Sequence, residues 1–377
     1  MTRNTAIDGL RGLLLIIIAI NHLESKALTP FTVEPFGFVS AAEAFIFLSG
    51  FVAAIVYGRL VHNPIQLKRK IWQRALHLYL VTIAGVLAIY SALHLGILPE
   101  VWYQPWGDYF LLENYLKYPI ESLLLSFIQI HQMGYLDILV LYMAPMIFLP
   151  WALLLLHRGK GWLVILLSAL VWLAAQFIND VYLINVFESL SIQSKVDAGF
   201  MDIMAWQLLF YLGVIAGYYQ KFKSIDFVAN RHVTVGVCII AVSFLVMDKF
   251  SIVLPFSAFF EMQLYGWKDV GLIRLLNTLA LAYIAALIIR KSPQVFNIRP
   301  FVFLGRHSLQ VFTFHAVAIY FFLPWMPQFN ESDSALVDVV LVLVFIMTLY
   351  IPAWLHQLWR QRKTVEQEFE RYLNIHK

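Results

Sequence analysis

Ten stretches of this chain, each close to twenty residues long and almost free of charge, constrain its fold more than anything else in it. They run approximately from Gly12 to Leu28, Ser40 to Leu60, Ala75 to Leu95, Leu136 to Leu156, Trp162 to Asn179, Met201 to Tyr219, His232 to Met247, Val270 to Ile289, Val302 to Leu323 and Leu336 to Leu355. An α-helix of about 20 residues crosses the hydrocarbon layer of a bilayer, and within that layer the backbone must satisfy its own hydrogen bonds. The expectation is an all-α polytopic membrane protein with about 10 transmembrane helices. Composition agrees, since 61% of residues are apolar and 13% charged, against about 25% charged in an ordinary soluble domain.

An even number of spans puts both termini on one side of the membrane. On that side the connections and ends hold 21 of the Lys and Arg residues and the other side holds 6, so both termini are expected to be cytoplasmic. Polar Asn21, His22 and Glu24 follow the first apolar run with no small-residue cleavage site, which reads as an uncleaved first span. Residues 1–355 are expected to form a single transmembrane domain. Residues 356–377, with Leu358, Val365, Phe369 and Tyr372 between charges, read as an amphipathic cytoplasmic tail. Trp102 to Tyr118 reads as an outer aromatic loop, and Pro119 to His131 is too short to cross. The one cysteine, Cys238, rules out an intramolecular disulfide. The net charge of +4 is spread over short loops and points to no nucleic acid partner.

Ionisable groups inside spans cost about 2.5 to 3.5 kcal/mol or more and normally face the bundle interior with a role to play. Arg11 and His22 are eleven residues apart, three helical turns plus about 20°, so they share one face roughly 16 Å apart. A snorkelling Arg with an interfacial His is the blander alternative. Asp8, three residues before Arg11, is placed to hold its guanidinium. Glu43 lies just inside the second span. A Glu that takes a hydrogen bond from one imidazole nitrogen raises the basicity of the other, although a structural pair with Lys26 fits as well. Ser49 and Gly50, in the phrase AFIFLSGF, suit close helix packing better than nucleophilic attack. Gln129, His131, Gln132 and Asp137 open the fourth span, and Arg306 and His315 stand at two depths of the ninth.

By depth these residues fall into two sets, with Arg11, Arg74 and Arg306 on the inside and His22, Glu43, Asp137 and His315 toward the outside. Guanidinium groups bind phosphates bidentately. An outer His with a carboxylate can deprotonate a sugar hydroxyl as it attacks a thioester. A long donor such as acyl-CoA, with its nucleotide inside and its arm threaded outward, joins the two sets. His22, Glu43 and Arg11 are therefore the catalytic candidates, and Arg11, Arg74 and Arg306 the candidates for the donor. Asp137, His315, Trp102 and Trp106 are the candidates for the acceptor, though the aromatic residues equally suit an interfacial belt. No metal site is expected, because no spacing gathers three ligands. Nor is any permanently bound cofactor expected, acyl-CoA being a co-substrate.

The same residues carry a resemblance. AIDGLRG, the spacing from Arg11 to His22, EAFIFLSGF and LGRHSLQVFTFH resemble the membrane acyltransferase type 3 superfamily, and within it the OpgC branch that succinylates osmoregulated periplasmic glucans. The resemblance spans the first run to the ninth. It implies a multi-pass protein of the bacterial inner membrane that moves a succinyl or acetyl group from cytoplasmic acyl-CoA to a periplasmic glucan. His22 would be the base or acyl-accepting residue, and Arg11 would line the donor path. Glu43 departs from the Asp usual in that superfamily. The rival reading is a transporter or flippase for a polysaccharide or lipid-linked sugar, in which the same charges form a substrate path; the chain lacks the inverted repeat common in such carriers.

Overall fold

The structure, a computed structural model, describes residues 4–107, 112–178, 199–228, 230–252, 263–326 and 334–375, without the side chains of 105–107 and 364–375. Its regular elements are helices, with no strand among the described residues. In chain order the main ones are α1 (Thr5–His22), α2 (Ala41–Tyr57), α3 (Pro64–His94), α4 (Asp137–His157), α5 (Gly161–Ala175) and α6 (Ile203–Phe222). They continue with α7 (Arg231–Lys249), α8 (Leu272–Lys291), α9 (Arg299–Arg306), α10 (Ser308–Phe322), α11 (Ala335–Thr348) and α12 (Tyr350–Ile375). Every apolar run read from the sequence overlaps at least one of them; the ninth is broken at His307 into α9 and α10, and the tenth at Leu349 into α11 and α12. Among the described residues, eight helices are long and apolar enough to cross a membrane. Two of the ten expected spans are not among these: α5 has only 15 residues, and α6 carries Gln207, Tyr211, Tyr218, Tyr219 and Lys221.

The surface of α7 shows why a bilayer is required. Val235, Ile239, Ile240 and Val242 are exposed, and Ala241 is the helix's buried residue. In water such a face is a liability, whereas in lipid tails it costs nothing. Polar side chains cap the helix starts: Asn4 accepts from the amides of Ala6 and Ile7, Asn230 from His232 and Val233, and Asp202 from Met204 and Ala205. In α4 the internal prolines 145 and 150 interrupt the backbone ladder. Side chains of other helices also donate to carbonyls of α4, the Tyr211 hydroxyl to that of Pro145 at 2.8 Å and the Trp72 indole to that of Ile147 at 3.1 Å.

The chain divides into two compact units, residues 1–30 with 288–377 and residues 31–287. In the first, α1 and α9 meet backbone to backbone. A Cβ on Gly12 would lie 1.9 Å from the Phe301 carbonyl oxygen, and one on Gly305 would lie 1.8 Å from that of Asp8. In the second, α2 and α6 do the same, for a Cβ on Gly50 would lie 2.0 Å from the Phe210 oxygen and one on Gly213 2.0 Å from that of Phe47. Small residues that let backbones touch are the usual means by which helices associate in lipid. Gly50 therefore packs, as expected, and the Ser49 hydroxyl is turned back to the Phe45 carbonyl at 2.8 Å.

Candidate functional site

In the first unit α1 is unbroken from Thr5 to His22, so Arg11 and His22 do share a face, three turns apart. At the Arg11 end, Asp8 is 4% exposed and Arg306 Nε approaches its Oδ2 at 3.8 Å. The Arg306 side chain is 47% exposed, so this ion pair adds little stability and leaves the guanidinium able to meet an anion. Beside it, His307 Nδ1 lies 2.8 Å from His356 Nδ1, and Trp359 stacks on the His356 ring. His356, the first residue of the expected tail, lies within α12, which runs without a break from Tyr350.

At the other end His22 meets His315, with Nδ1 to Nε2 at 2.8 Å. Ring centroids 4.8 Å apart and planes within 23° describe two nearly parallel imidazoles, in contact through those two nitrogens. His315 is 1% exposed, and its Nδ1 lies 3.1 Å from the Phe312 carbonyl oxygen. That carbonyl can only accept, so His315 carries its proton on Nδ1 and presents a lone pair at Nε2. His22 must then donate from Nδ1. In the neutral pair the unprotonated nitrogen of His22 is Nε2, the atom a general base needs. One backbone carbonyl thus sets the tautomers of two rings.

Three contacts between these segments share one sequence offset. Gly9 lies against Val302, Gly12 against Gly305 and His22 against His315, each pair 293 positions apart, so α1 runs parallel to α9 and α10. The glycines of GLRG and LGR bring the two backbones together, and ten residues further along each chain the imidazoles meet.

In the second unit Glu43 is fully buried at the start of α2. Its Oε2 accepts from the Ser40 amide and hydroxyl, a capping box, and its Oε1 accepts from Arg274 Nη1 at 2.6 Å. Arg274 Nη2 donates to Glu34. Glu43 therefore meets neither an imidazole nor Lys26, the two partners expected for it. Arg274 is in the first turn of α8, 4% exposed, between two carboxylates. A buried carboxylate needs a charged partner, and the guanidinium serves both acids.

Asp137 opens α4, where its oxygens accept from the amides of Ile138 at 2.9 Å and Phe200 at 3.2 Å. Thr82, Gln129, His131, Gln132 and Asp137 line a cavity of about 10 Å³, room for roughly one water. Burial holds the His131 imidazole down at about 4, so it is neutral at physiological pH. Arg74 is half-buried on the third turn of α3. Trp102 is half-buried in the short helix Glu100–Gly107, which also holds Trp106, whose side chain lies outside the described residues.

Sequence reasoning missed Asp338, 1% exposed in the first turn of α11. The rule that singled out Glu43, a carboxylate inside an apolar run, would have found it.

Fold and site together define an all-helical, multi-pass membrane protein that buries a hydrogen-bonded imidazole pair in one unit and a two-carboxylate guanidinium cluster in the other. The chain belongs to the OpgC protein family, which it matches over residues 3–361. Membership makes it an acyltransferase-type membrane enzyme acting on glucans. No curated protein matches it significantly.

Proposed function

We propose that the chain moves an acyl group, succinyl first and acetyl second, from cytoplasmic acyl-CoA to a hydroxyl of a periplasmic glucan. In this reading it sits in the bacterial inner membrane with both termini in the cytoplasm. The observation that carries the proposal is the imidazole pair, in which the contact from His315 to a backbone carbonyl leaves His22 Nε2 as the base. The glucan hydroxyl oxygen attacks the thioester carbonyl carbon, the C–S bond breaks, and CoA leaves as its thiolate. His22 Nε2 takes the hydroxyl proton. His315 orients the base instead of binding the acceptor, and Glu43, engaged by Arg274, enters as a positioning carboxylate. Arg11 and Arg306 are assigned to the phosphates of the donor, with Arg74 as a further cation for them. Asp137, Trp102 and Trp106 are assigned to the glucan.

Mass spectrometry of periplasmic glucans from cells with the wild-type chain and with His22→Ala tests this. The wild type should add an acyl mass, which names the group, and the variant, present in the membrane at the same level, should add none. Unmodified glucans in cells that express the wild type well would overturn the proposal. They would favour carriage of the glycan without chemistry.

A further inference from the structure

His22 occupies the last turn of α1, where a helix frays because its final carbonyls lack partners within the helix. The chain leaves through Leu23 and Glu24, and Glu24 takes a left-handed φ of 51°, unfavourable for a residue with a Cβ. Something must hold that exit if the His22 ring is to keep its contact with His315.

The group that does so is on α11. Asp338 Oδ2 accepts from the Ser25 hydroxyl at 2.7 Å and from the Ala27 amide at 2.8 Å. Ser25 is 1% exposed, and its oxygen accepts in turn from the Leu28 amide at 3.0 Å. One carboxylate oxygen therefore organises the segment that begins three residues beyond His22. Two turns further along α11, Phe345 faces the His315 ring edge to face, with centroids 6.4 Å apart. Asp338 and Phe345 are seven residues apart and so lie on one helical face. That face holds the exit of α1 at one point and His315 at the other. An acid in the first turn of a helix is also favoured by the helix dipole. The dipole alone does not account for a carboxylate with almost no exposure bonded to residues more than 300 positions away, nor for an Oδ1 that is buried with no hydrogen bond among the described residues.

We infer that Asp338 is a positioning residue for His22, its carboxylate clamping the turn that ends α1 so that His22 Nδ1 stays on His315. The consequence for catalysis rests on the proposed acyl transfer; the clamp itself does not.

The experiment uses the full chain in lipid nanodiscs, as wild type, Asp338→Asn, Asp338→Glu and Ser25→Ala. Two readouts are taken: the rate at which diethyl pyrocarbonate modifies His22, followed by mass spectrometry, and kcat and KM for acyl-CoA. In Asp338→Asn the His22 rate should rise about tenfold, the factor that matches one buried hydrogen bond. Its kcat should fall by a similar factor, with KM for the donor within about twofold, since the Arg11 end is untouched. Asp338→Glu should move both readouts back toward wild type. Ser25→Ala, which keeps the carboxylate and loses one bond, should shift both in the same sense by less, and it carries the test if Asp338→Asn does not fold. A His22 rate unchanged in the folded variants would overturn the clamp. So would a change in KM with kcat intact, since that is general slackening of the bundle. A wild type that transfers no acyl group while Asp338→Asn still alters the His22 rate would support the clamp and sink the acyltransferase reading alone.

Discussion

The contact between Glu43 and Arg274 predicts a strongly non-additive pair of substitutions. Glu43 is fully buried, Arg274 is 4% exposed, and their atoms are 2.6 Å apart, so neither charge can turn to water when the other is removed. Removing one partner of such a pair costs about 3 to 5 kcal/mol, chiefly because a charge is left buried. Glu43→Gln keeps an oxygen for the capping box with Ser40 and leaves the guanidinium its bond to Glu34, so it belongs at the lower end, about 3 kcal/mol. Arg274→Met strands two carboxylates at once and belongs at the upper end, about 5 kcal/mol. The double variant buries an amide beside a thioether with no cation to strand, and should cost at least about 3 kcal/mol less than the two singles added together. Unfolding in mixed micelles by titration with dodecyl sulfate, followed by tryptophan fluorescence, measures all four forms. Additive costs, or a Glu43→Gln penalty under about 1 kcal/mol, would refute the argument that this pair is electrostatically closed.

In steady-state kinetics, His315→Ala should lower kcat about a hundredfold, the lower end of what general base catalysis supplies, with KM for acyl-CoA unchanged; an unaffected kcat would separate His315 from the chemistry. Inserting one Ala between Val311 and Phe312 turns His315 by about 100° away from His22 and should reproduce that loss, whereas retained activity would refute the register of α1 with α10. His131 is held at about 4 from an ordinary 6.5, so between those values the unfolded chain binds a proton that the folded chain does not. Stability should therefore be full above pH 6.5 and fall by as much as about 3 kcal/mol as the pH drops toward 4. His131→Leu should flatten that slope, as unfolding at pH 7.5 and 4.5 will show.

What the sequence reveals here divides along the range of the interaction that encodes it. Hydrophobic runs are local, and each placed a helix. The phase relation of Arg11 and His22 needs one helix and 3.6 residues per turn, and it holds. The partners of the costly groups are another matter, because no periodicity within one helix says which other helix faces it. Glu43 found Arg274, 231 positions away; His22 found His315, 293 away; Asp338 found Ser25, 313 away. Yet one long-range relation has a trace in the sequence. GLRG precedes His22 and LGR precedes His315, so that Gly12 and Gly305 each stand ten residues before their imidazole. Ten residues turn a helix by about 280° beyond two full turns, so the meeting of the imidazoles needs the break at His307 between α9 and α10 as well as the contact of the glycines. The glycines bring α9 against α1, and the imidazoles join α10 to the end of the same helix. The number of residues between His307 and His315 fixes the direction of the His315 ring on α10, and this is the reason a one-residue insertion should do as much harm as loss of the imidazole.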